Sequence, residues 1–216
     1  MFRGHADITW TLLPSVGRGP YVAKSRETYE AALFKIFRRE AYGYLAATPA
    51  DDWEWLASAQ HHGLPTRLLD WTHNPWRRSI SRWPDANADG QIFALRALVS
   101  ESEQRPASPF GCDSPVKYYP NIVTPRIRAQ EGLFIACAKL ETPLDRTLRN
   151  NWRIEGFKVP KVSEPRLRYQ LFRMGIHASS LFPDVDGLVE RIKWQLGVAS
   201  PFQAAEKMAA KAGART

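Results

Sequence analysis

The sequence contains only two cysteines, Cys112 and Cys137, among its 216 residues. Two thiols cannot form the disulfide framework of a small secreted protein, and these two lack the spacing of a zinc site. No apolar run approaches the ~18 residues that a membrane-spanning helix needs. The N-terminus has no basic segment followed by an apolar one, so no secretory signal is visible. We therefore expect a cytoplasmic protein without a membrane partner.

Several common catalytic motifs are also missing. The sequence has no H-E-x-x-H or C-x-x-C motif, so we expect no bound metal. It has no G-x-S-x-G elbow and no Walker or dinucleotide-binding glycine signature. Cys137 lies in an apolar segment and is typical of a small core residue rather than a nucleophile. These absences exclude the common P-loop and Rossmann routes to phosphate chemistry.

The rest of the composition is that of an ordinary folded chain. Hydrophobic residues make up 44% and charged residues 24%, with 13 glycines and 16 prolines, which excludes collagen-like and wholly disordered chains. The net charge is +8, and residues 139–173 alone hold nine Lys or Arg against four Asp or Glu. Such a basic stretch attracts nucleic acid, although a solvated surface explains it equally well.

Hydrophobic periodicity and turn residues predict helices and strands in irregular alternation. Strands are predicted over residues 8–13, 66–72, 90–98 and 133–138. Helices are predicted over residues 26–47 after a Ser25 cap, from Asp51 or Asp52 to a stop at Gly63, over residues 76–83, and from Asp184 or Asp186 onward. This order favours an α+β fold with a mixed, largely antiparallel sheet flanked by helices. Residues 1–198 are expected to form one domain, and residues 199–216 a helical or disordered tail.

The densest group of polar side chains lies in residues 60–74. Alternation along a strand places Arg67, Leu69 and Trp71 on one face. Thr66, Leu68, Asp70 and Thr72 then lie on the other, so Asp70 and Thr72 can point into one cleft. Within this group His61 can act as an acid or base with Asp70 orienting it, which is typical of a hydrolase or nuclease. Alternatively, His61 simply ends a helix, and the charged residues only pair with their neighbours.

A second polar group precedes an apolar strand near residue 132. Arg126 and Arg128 are followed by Gln130 and Glu131. Glu131 can act as a general base or bind a ribose hydroxyl, although an isolated surface glutamate has the same appearance. Arg3 and Arg18 can bind phosphate or carboxylate groups through their planar guanidinium. The eight tryptophans can stack on a base, but they belong more often to a core.

These motifs together resemble the FRG-domain family, which takes its name from a Phe-Arg-Gly triplet. The matching segments are Phe2-Arg3-Gly4 with Trp10, Leu12, Pro14-Ser15 and Arg18; Gln60 to Thr72 with Asn74-Pro75; Arg126, Gln130, Gly132, Leu133 and Phe134; and Gly175-Ile176 with Leu181 to Leu188. The resemblance extends over nearly the whole chain, to about residue 195. Two features depart from the family pattern: the basic stretch with Arg77, Arg78 and Arg82 after Asn-Pro, and the short lead-in before the triplet.

The resemblance implies a function in toxins or phage defence. The motif order is also similar, more weakly, to that of ADP-ribosyltransferases, which implies NAD as a substrate and a nucleic acid or protein as the acceptor. An inhibitor or partner protein is a further expectation. The residues implied at the site are Glu131, Gln130, Thr72 and His61 for catalysis, and Arg3, Gly4, Arg18, Gln60, Arg67, Asp70 and Trp71 for binding NAD. A non-catalytic module that recognises a nucleotide or a phage component is the main alternative, and a His-dependent hydrolase or nuclease is the other.

Overall fold

The computed structural model of the chain describes residues 1–45, 47–75, 88–98, 105–121 and 132–197. The described strands are β1 (Phe2–His5), β2 (Leu68–Thr72), β3 (Gly90–Ala97), β4 (Val116–Tyr118), β5 (Gly132–Ala136) and β6 (Trp152–Val159). The described helices are α1 (Arg26–Glu40), α2 (Asp52–His61), α3 (Glu164–Arg173), α4 (Ala178–Leu181) and α5 (Val185–Leu196). The helix predicted at residues 76–83 and the tail predicted at residues 199–216 lie outside the described residues.

The strands form one sheet in the order β4-β5-β2-β1-β3-β6. Each pair of neighbours is antiparallel in the described part of the chain. β3 and β6 pair over eight residues, and β2 and β5 pair over five. The predicted α+β class with a largely antiparallel sheet is therefore confirmed.

Side chains of the sheet alternate between two hydrophobic clusters, as the pleat of a strand requires. Leu68, Phe134 and Ala136 pack with Phe34 of α1 and with the tryptophans of α2. The second cluster consists of Leu12, Leu69, Trp71, Leu95, Leu133, Ile135, Cys137, Leu144 and Trp152. Full burial of a large apolar side chain contributes about 1.5–3 kcal/mol, so these two clusters are the main source of stability. The alternation predicted for the strand at residues 66–72 is confirmed from Leu68 onward.

The ends of α1 and α2 follow local signals in the sequence. The side chains of Ser25 and Asp51 each accept a hydrogen bond from the backbone N–H three residues further on. Gly63 follows α2 with a φ of 89°, a left-handed conformation that favours glycine. The predicted caps and stop are therefore confirmed. However, α1 ends at Glu40 and a 3-10 turn follows it, so the helix is shorter than the predicted residues 26–47.

The strand predicted over residues 8–13 is wrong, because a turn and irregular backbone occupy this segment. Asp7 Oδ1 accepts hydrogen bonds from the N–H and the hydroxyl of Thr9, at 2.8 and 2.7 Å. Ile8 N donates to Asp89 O, and the side chain of Leu12 enters the second cluster. A short polar side chain that bonds to nearby backbone competes with a strand ladder, and β-propensity alone does not reveal that competition.

The C-terminal helices pack around a small cluster of their own, in which Leu171 and Leu181 are buried. Asp184 caps α5 by accepting a hydrogen bond from Gly187 N, which confirms one of the two predicted starts. A Cβ on Gly187 would collide with the carbonyl oxygen of Phe182. The close approach of α4 and α5 therefore requires glycine at this position.

His177 caps α4 and makes this region sensitive to pH. Its Nδ1 accepts a hydrogen bond from Ser180 N at 3.2 Å, which requires an unprotonated nitrogen. Burial, followed by the positive charge of Arg191, lowers the pKa of His177 below its ordinary value of 6.5. Arg168 and Glu190 line the same pocket. The unfolded chain therefore takes up the proton first as the pH falls, and the stability contributed by neutral His177 is lost below its ordinary pKa.

We accordingly expect the urea midpoint to fall between about pH 7.5 and about pH 5, and to fall less in His177→Asn, whose amide oxygen caps a helix without titrating. Circular dichroism at a series of pH values measures this difference. His62→Asn, at an exposed position after α2, is the matched control and should follow the wild type. Equal pH slopes for the wild type and His177→Asn would contradict the prediction.

Candidate functional site

The two central strands of the sheet, β1 and β2, pair over a short distance. β1 pairs with β3 through all four of its residues, but its register with β2 contains the single pair Phe2–Thr72. Beyond that pair, the side chain of Arg3 in β1 donates a hydrogen bond to the backbone of Asp70 in β2. We call Arg3, His5, Gln60, Thr66 and Asp70 the polar cluster.

Arg3 is the centre of the polar cluster and is only 4% exposed. Its Nη1 donates a hydrogen bond of 2.8 Å to the carbonyl oxygen of Asp70 and lies 3.6 Å from Asp70 Oδ2. Its Nε donates to His5 Nε2 at 3.2 Å. Because a guanidinium only donates, His5 Nε2 must be the acceptor, and the proton of the neutral imidazole is on Nδ1. Nδ1 then donates to Trp10 O, at 3.1 Å.

Asp70 is held from a second side by α2. Gln60 Nε2 donates to both carboxylate oxygens of Asp70, at 3.4 and 3.3 Å. Gln60 Oε1 accepts a bond of 2.6 Å from the hydroxyl of Thr66, which fixes the orientation of the amide. The side chain of Asp70 is 19% exposed and that of Arg3 is 5% exposed. The carboxylate is therefore the more accessible end of the pair.

One row of paired residues crosses the sheet at the edge of the polar cluster. Gly132 of β5 pairs with Thr72, Thr72 pairs with Phe2, and Phe2 pairs with Ala94. Thr72 Oγ1 accepts a hydrogen bond from Asn74 N in the turn that follows β2. The strands that carry Arg3 and Thr72, and the strand that begins at Gly132, are therefore the three neighbours β1, β2 and β5. Gln130 and Glu131, which precede Gly132 in the sequence, lie outside the described residues.

The structure thus brings together three of the predicted site residues, Arg3, Gln60 and Asp70, in direct contact. Gly4 lies in β1 opposite Ile92. Trp71 is fully buried in the second cluster, on the sheet face away from Leu68.

Two further predicted residues, one exposed and one half-buried, are not members of the polar cluster. Arg18 is exposed, and its Nε and Nη2 donate to Leu13 O. It lines an open groove with Trp10, whose side chain is 45% exposed, and with two threonines. His61 ends α2, with its ring 5.1 Å from that of His62, so the predicted helix-end position is confirmed. Arg77, Arg78 and Arg82 lie outside the described residues.

Arg67 belongs to a separate, buried ion pair with Glu30 of α1. Its Nε and Nη2 lie 2.8 and 2.7 Å from Glu30 Oε2, and its backbone N donates to Glu30 Oε1 at 2.6 Å. Its guanidinium also lies over the ring of Phe110, which packs against the first cluster. The prediction that Arg67 shares a face with Leu69 and Trp71 is wrong, because β2 begins at Leu68 and alternation does not extend to the bend before it.

Burial raises the pKa of the Glu30 carboxyl above its ordinary value, and the facing Arg67 guanidinium opposes that rise. The pair therefore stays charged only while both partners are present.

Sequence reasoning missed His5 and Trp10 at the polar cluster, and Glu30 in the separate ion pair with Arg67. His5 was detectable, since it stands two residues after Arg3 on a strand and so shares its face. Trp10 contacts the polar cluster through its backbone carbonyl, and no pattern of side chains indicates such a contact. Glu30 lies on the buried face of α1, one turn before Phe34, and a glutamate at that position is itself a signal of a buried cation.

Cys137 is a core residue, as the sequence predicts. It is fully buried in the second cluster, and burial raises the pKa of its thiol to about 12. Its thiol is therefore protonated at neutral pH and is a poor nucleophile. Among the described residues, no group of three or more His, Cys, Asp or Glu is placed to hold a metal ion. No helix in the described ranges is long and apolar enough to cross a membrane.

The comparison with known families concerns the part of the chain that builds the polar cluster. Residues 1–77 match the FRG domain. The resemblance is therefore confirmed over β1, α1, α2 and β2, and every member of the polar cluster lies within the FRG match. Beyond residue 77 the resemblance stays a prediction. No curated protein and no solved structure matches this chain.

Proposed function

We propose that this protein binds NAD at the polar cluster and transfers its ADP-ribose to a nucleic acid or protein acceptor, as a toxin or phage-defence effector. The observation that carries the proposal is the row Gly132–Thr72–Phe2 across β5, β2 and β1. An ADP-ribosyltransferase-like site requires an arginine strand, a Ser/Thr strand and a strand introduced by Glu or Gln. Here the arginine strand is β1, the threonine strand is β2, and the strand that follows Glu131 in the sequence is β5. These three strands are adjacent in the sheet.

The polar cluster supplies groups suited to the sugar and phosphates of a dinucleotide. The carboxylate of Asp70 can accept hydrogen bonds from ribose hydroxyls, and Arg3 and Gln60 hold it in place from two sides. Arg3 also brings positive charge to a site that would receive a pyrophosphate. Thr72 braces the turn after β2 through Asn74. Arg18 and Trp10, on the adjoining groove, offer a cation and an aromatic surface.

In the proposed reaction the bond between C1′ of the ribose and the nicotinamide nitrogen breaks, and its electron pair leaves with the nicotinamide. The ribose passes through an oxocarbenium-like state, which the carboxylate of Glu131 stabilises. The acceptor nucleophile then forms a bond to C1′ and loses its proton to Glu131 or to water. Positioning of NAD by the polar cluster supplies the orientation that this transfer needs.

Nucleic acid is the acceptor that the charge distribution favours. The net charge is +8, and exposed cations such as Arg153, Lys158 and Lys161 lie on β6 and just after it. Basic residues grouped in this way attract a phosphate backbone, with an affinity that falls as salt is added.

We expect Asp70→Asn to weaken NAD binding by about 10-fold or more. The carboxylate offers a ribose hydroxyl two charged oxygen acceptors, whereas the amide offers one neutral oxygen. Calorimetric titration with NAD measures the affinity, and chromatography of released nicotinamide measures turnover. Gln60→Ala is a second variant that leaves the Arg3–Asp70 contact in place. Asp145→Asn, at an exposed position outside the polar cluster, is the matched control and should bind NAD like the wild type.

Two other outcomes would replace the proposal. NAD binding without nicotinamide release, with any acceptor supplied, would favour the non-catalytic recognition module. An absence of NAD binding, together with cleavage of DNA or RNA that His61→Asn abolishes, would favour the hydrolase or nuclease.

A further inference from the structure

Helix α5 carries an apolar stripe on the face that it turns away from the other described residues. On the inner face, Gly187 lies against Phe182, and the ring of Trp194 packs on Phe172 and under the guanidinium of Arg168. The outer face holds five large apolar side chains that are between 39% and 77% exposed. These residues, which we call the apolar stripe, are Val185, Leu188, Val189, Ile192 and Leu196.

The spacing of the apolar stripe is that of a helix–helix seam. Single exposed apolar residues are normal on a protein surface, whereas a contiguous apolar patch marks a contact. Val185, Leu188 and Ile192 follow one another at three and four residues, the repeat by which one helix packs along another. Each residue turns the helix by about 100°, so all five side chains fall within roughly 100° of the circumference. The stripe is therefore a surface that fits a second helix.

We propose that the apolar stripe pairs with the same stripe of a second copy of this chain, with the two α5 helices antiparallel. The charges beside the stripe favour this partner and this direction. Asp186 and Lys193 are seven residues apart, so they lie on the same flank of the stripe. In an antiparallel pair centred between Val189 and Glu190, Asp186 of each copy faces Lys193 of the other. In a parallel pair, the flanks that carry these charges lie on opposite sides of the contact, so this pairing does not form. Lys193 also pairs with Glu190 of its own helix, at 3.1 Å.

The residues of the apolar stripe face one another in an antiparallel pair that has nearly the same centre as the charge pairing. The stripe runs from Val185 to Leu196, with its mean position at residue 190, close to the centre of the charge pairing. Leu188 of one copy then meets Ile192 of the other, Val185 approaches Leu196, and Val189 lies near the two-fold axis. The centres of the charge pairing and of these apolar pairs thus agree to within about one residue along the helix.

The size of the contact between the two α5 helices sets the expected affinity of the dimer. α5 has 12 residues and is therefore about 18 Å long. Two helices of this length bury less than the ~1,200 Å² of a standard stable interface. The dimer is accordingly weak and forms at high concentration, with dissociation in the micromolar range or above.

Sedimentation velocity of the full chain tests the association. We expect a monomer at about 5 µM and a shift toward dimer at about 500 µM. Leu188→Asp places a charge inside the seam and should abolish the shift. Val22→Asp introduces the same charge at a residue that is 96% exposed and outside α5, and should leave the shift unchanged. A wild-type monomer at the highest concentration overturns the proposal and leaves the stripe to another partner. A shift that Leu188→Asp does not reduce overturns it as well.

The charge pairing has its own test. Asp186→Lys alone and Lys193→Glu alone each place like charges opposite each other and should weaken the dimer, whereas the double variant should restore it. Failure of the double variant to restore the dimer, with helix content unchanged by circular dichroism, overturns the proposed register.

Cross-linking distinguishes the direction. In the antiparallel pair, Val189→Cys lies near the axis and forms a disulfide between copies under mild oxidation. Leu196→Cys lies about 20 Å from its counterpart, beyond the ~7 Å that a disulfide can span between Cα atoms. The two native cysteines are buried and do not interfere. Cross-linking of Leu196→Cys as readily as Val189→Cys would mean a parallel pair and would overturn the antiparallel arrangement.

Discussion

Replacing Glu30 with alanine is expected to lower the free energy of unfolding by about 3–5 kcal/mol. Glu30 accepts hydrogen bonds from the backbone and the guanidinium of Arg67, and both side chains are almost fully buried. The alanine variant leaves the Arg67 charge in a dry interior, where the carbonyl of Pro109 on Nη1 and the ring of Phe110 stay in contact with it. Removing one member of a buried ion pair is costly for that reason, even where the intact pair contributes little. Urea denaturation followed by circular dichroism measures the loss.

Glu40→Ala is the matched control, since it makes the same substitution in the same helix. Glu40 pairs with Arg39 at the surface, and both side chains are more than 60% exposed. Surface ion pairs contribute about 0–1 kcal/mol, so this variant should unfold near the wild-type midpoint. Similar losses for Glu30→Ala and Glu40→Ala would show that the Glu30–Arg67 pair is not a buried contact in solution.

Glu131→Gln is expected to slow nicotinamide release by about 10²–10³-fold while NAD affinity changes little. On the proposed mechanism, the carboxylate stabilises charge that develops on the ribose only in the transition state. An amide of the same shape keeps the contact and loses the charge, so kcat falls and binding is retained. Single-turnover release of nicotinamide, measured beside calorimetric NAD affinity, separates the two effects.

Glu155→Gln is the matched control for this experiment. Glu155 is exposed on β6 and pairs with Ala94, at the far end of the row that passes through Phe2 and Thr72. The same change of charge there should leave both rate and affinity at wild-type values. A loss of NAD affinity in Glu131→Gln equal to its loss of rate would move Glu131 from catalysis to ground-state binding. An unchanged rate would remove it from the mechanism.

Most elements of the fold were predictable because their signals are local. The caps at Ser25 and Asp51 and the stop at Gly63 depend on residues within one turn of the helix end. The strands around Leu68 and Leu133 combine β-forming residues with alternating burial. Residues 8–13 have a similar composition and still form a turn, because Asp7 bonds to Thr9. In that segment, the two bonds to Asp7 and the backbone bond from Ile8 to Asp89 outweigh the average preference of six residues.

The candidate site was only partly predictable. The resemblance indicates Arg3, Gln60 and Asp70 as members of one site, and the structure places them in contact. The same reasoning grouped Arg67 with them, although its guanidinium forms a separate, buried ion pair with Glu30. Motif adjacency in the sequence says which residues are close along the chain. It does not say toward which face of the sheet the long side chain of a residue just before a strand extends.

The sequence by itself determined the α+β class, the starts of α1 and α2, the alternating burial of β2 and the apolar spacing of α5. Each of these depends on residues no more than a few positions apart, where backbone geometry sets which side chains share a face. Only the tertiary structure decided that β1 and β2 pair at one position and then separate around Arg3, and that Arg3 reaches Asp70, 67 residues away. Contacts of that range depend on which strands become neighbours, and this is set by the packing of the whole core rather than by any one segment.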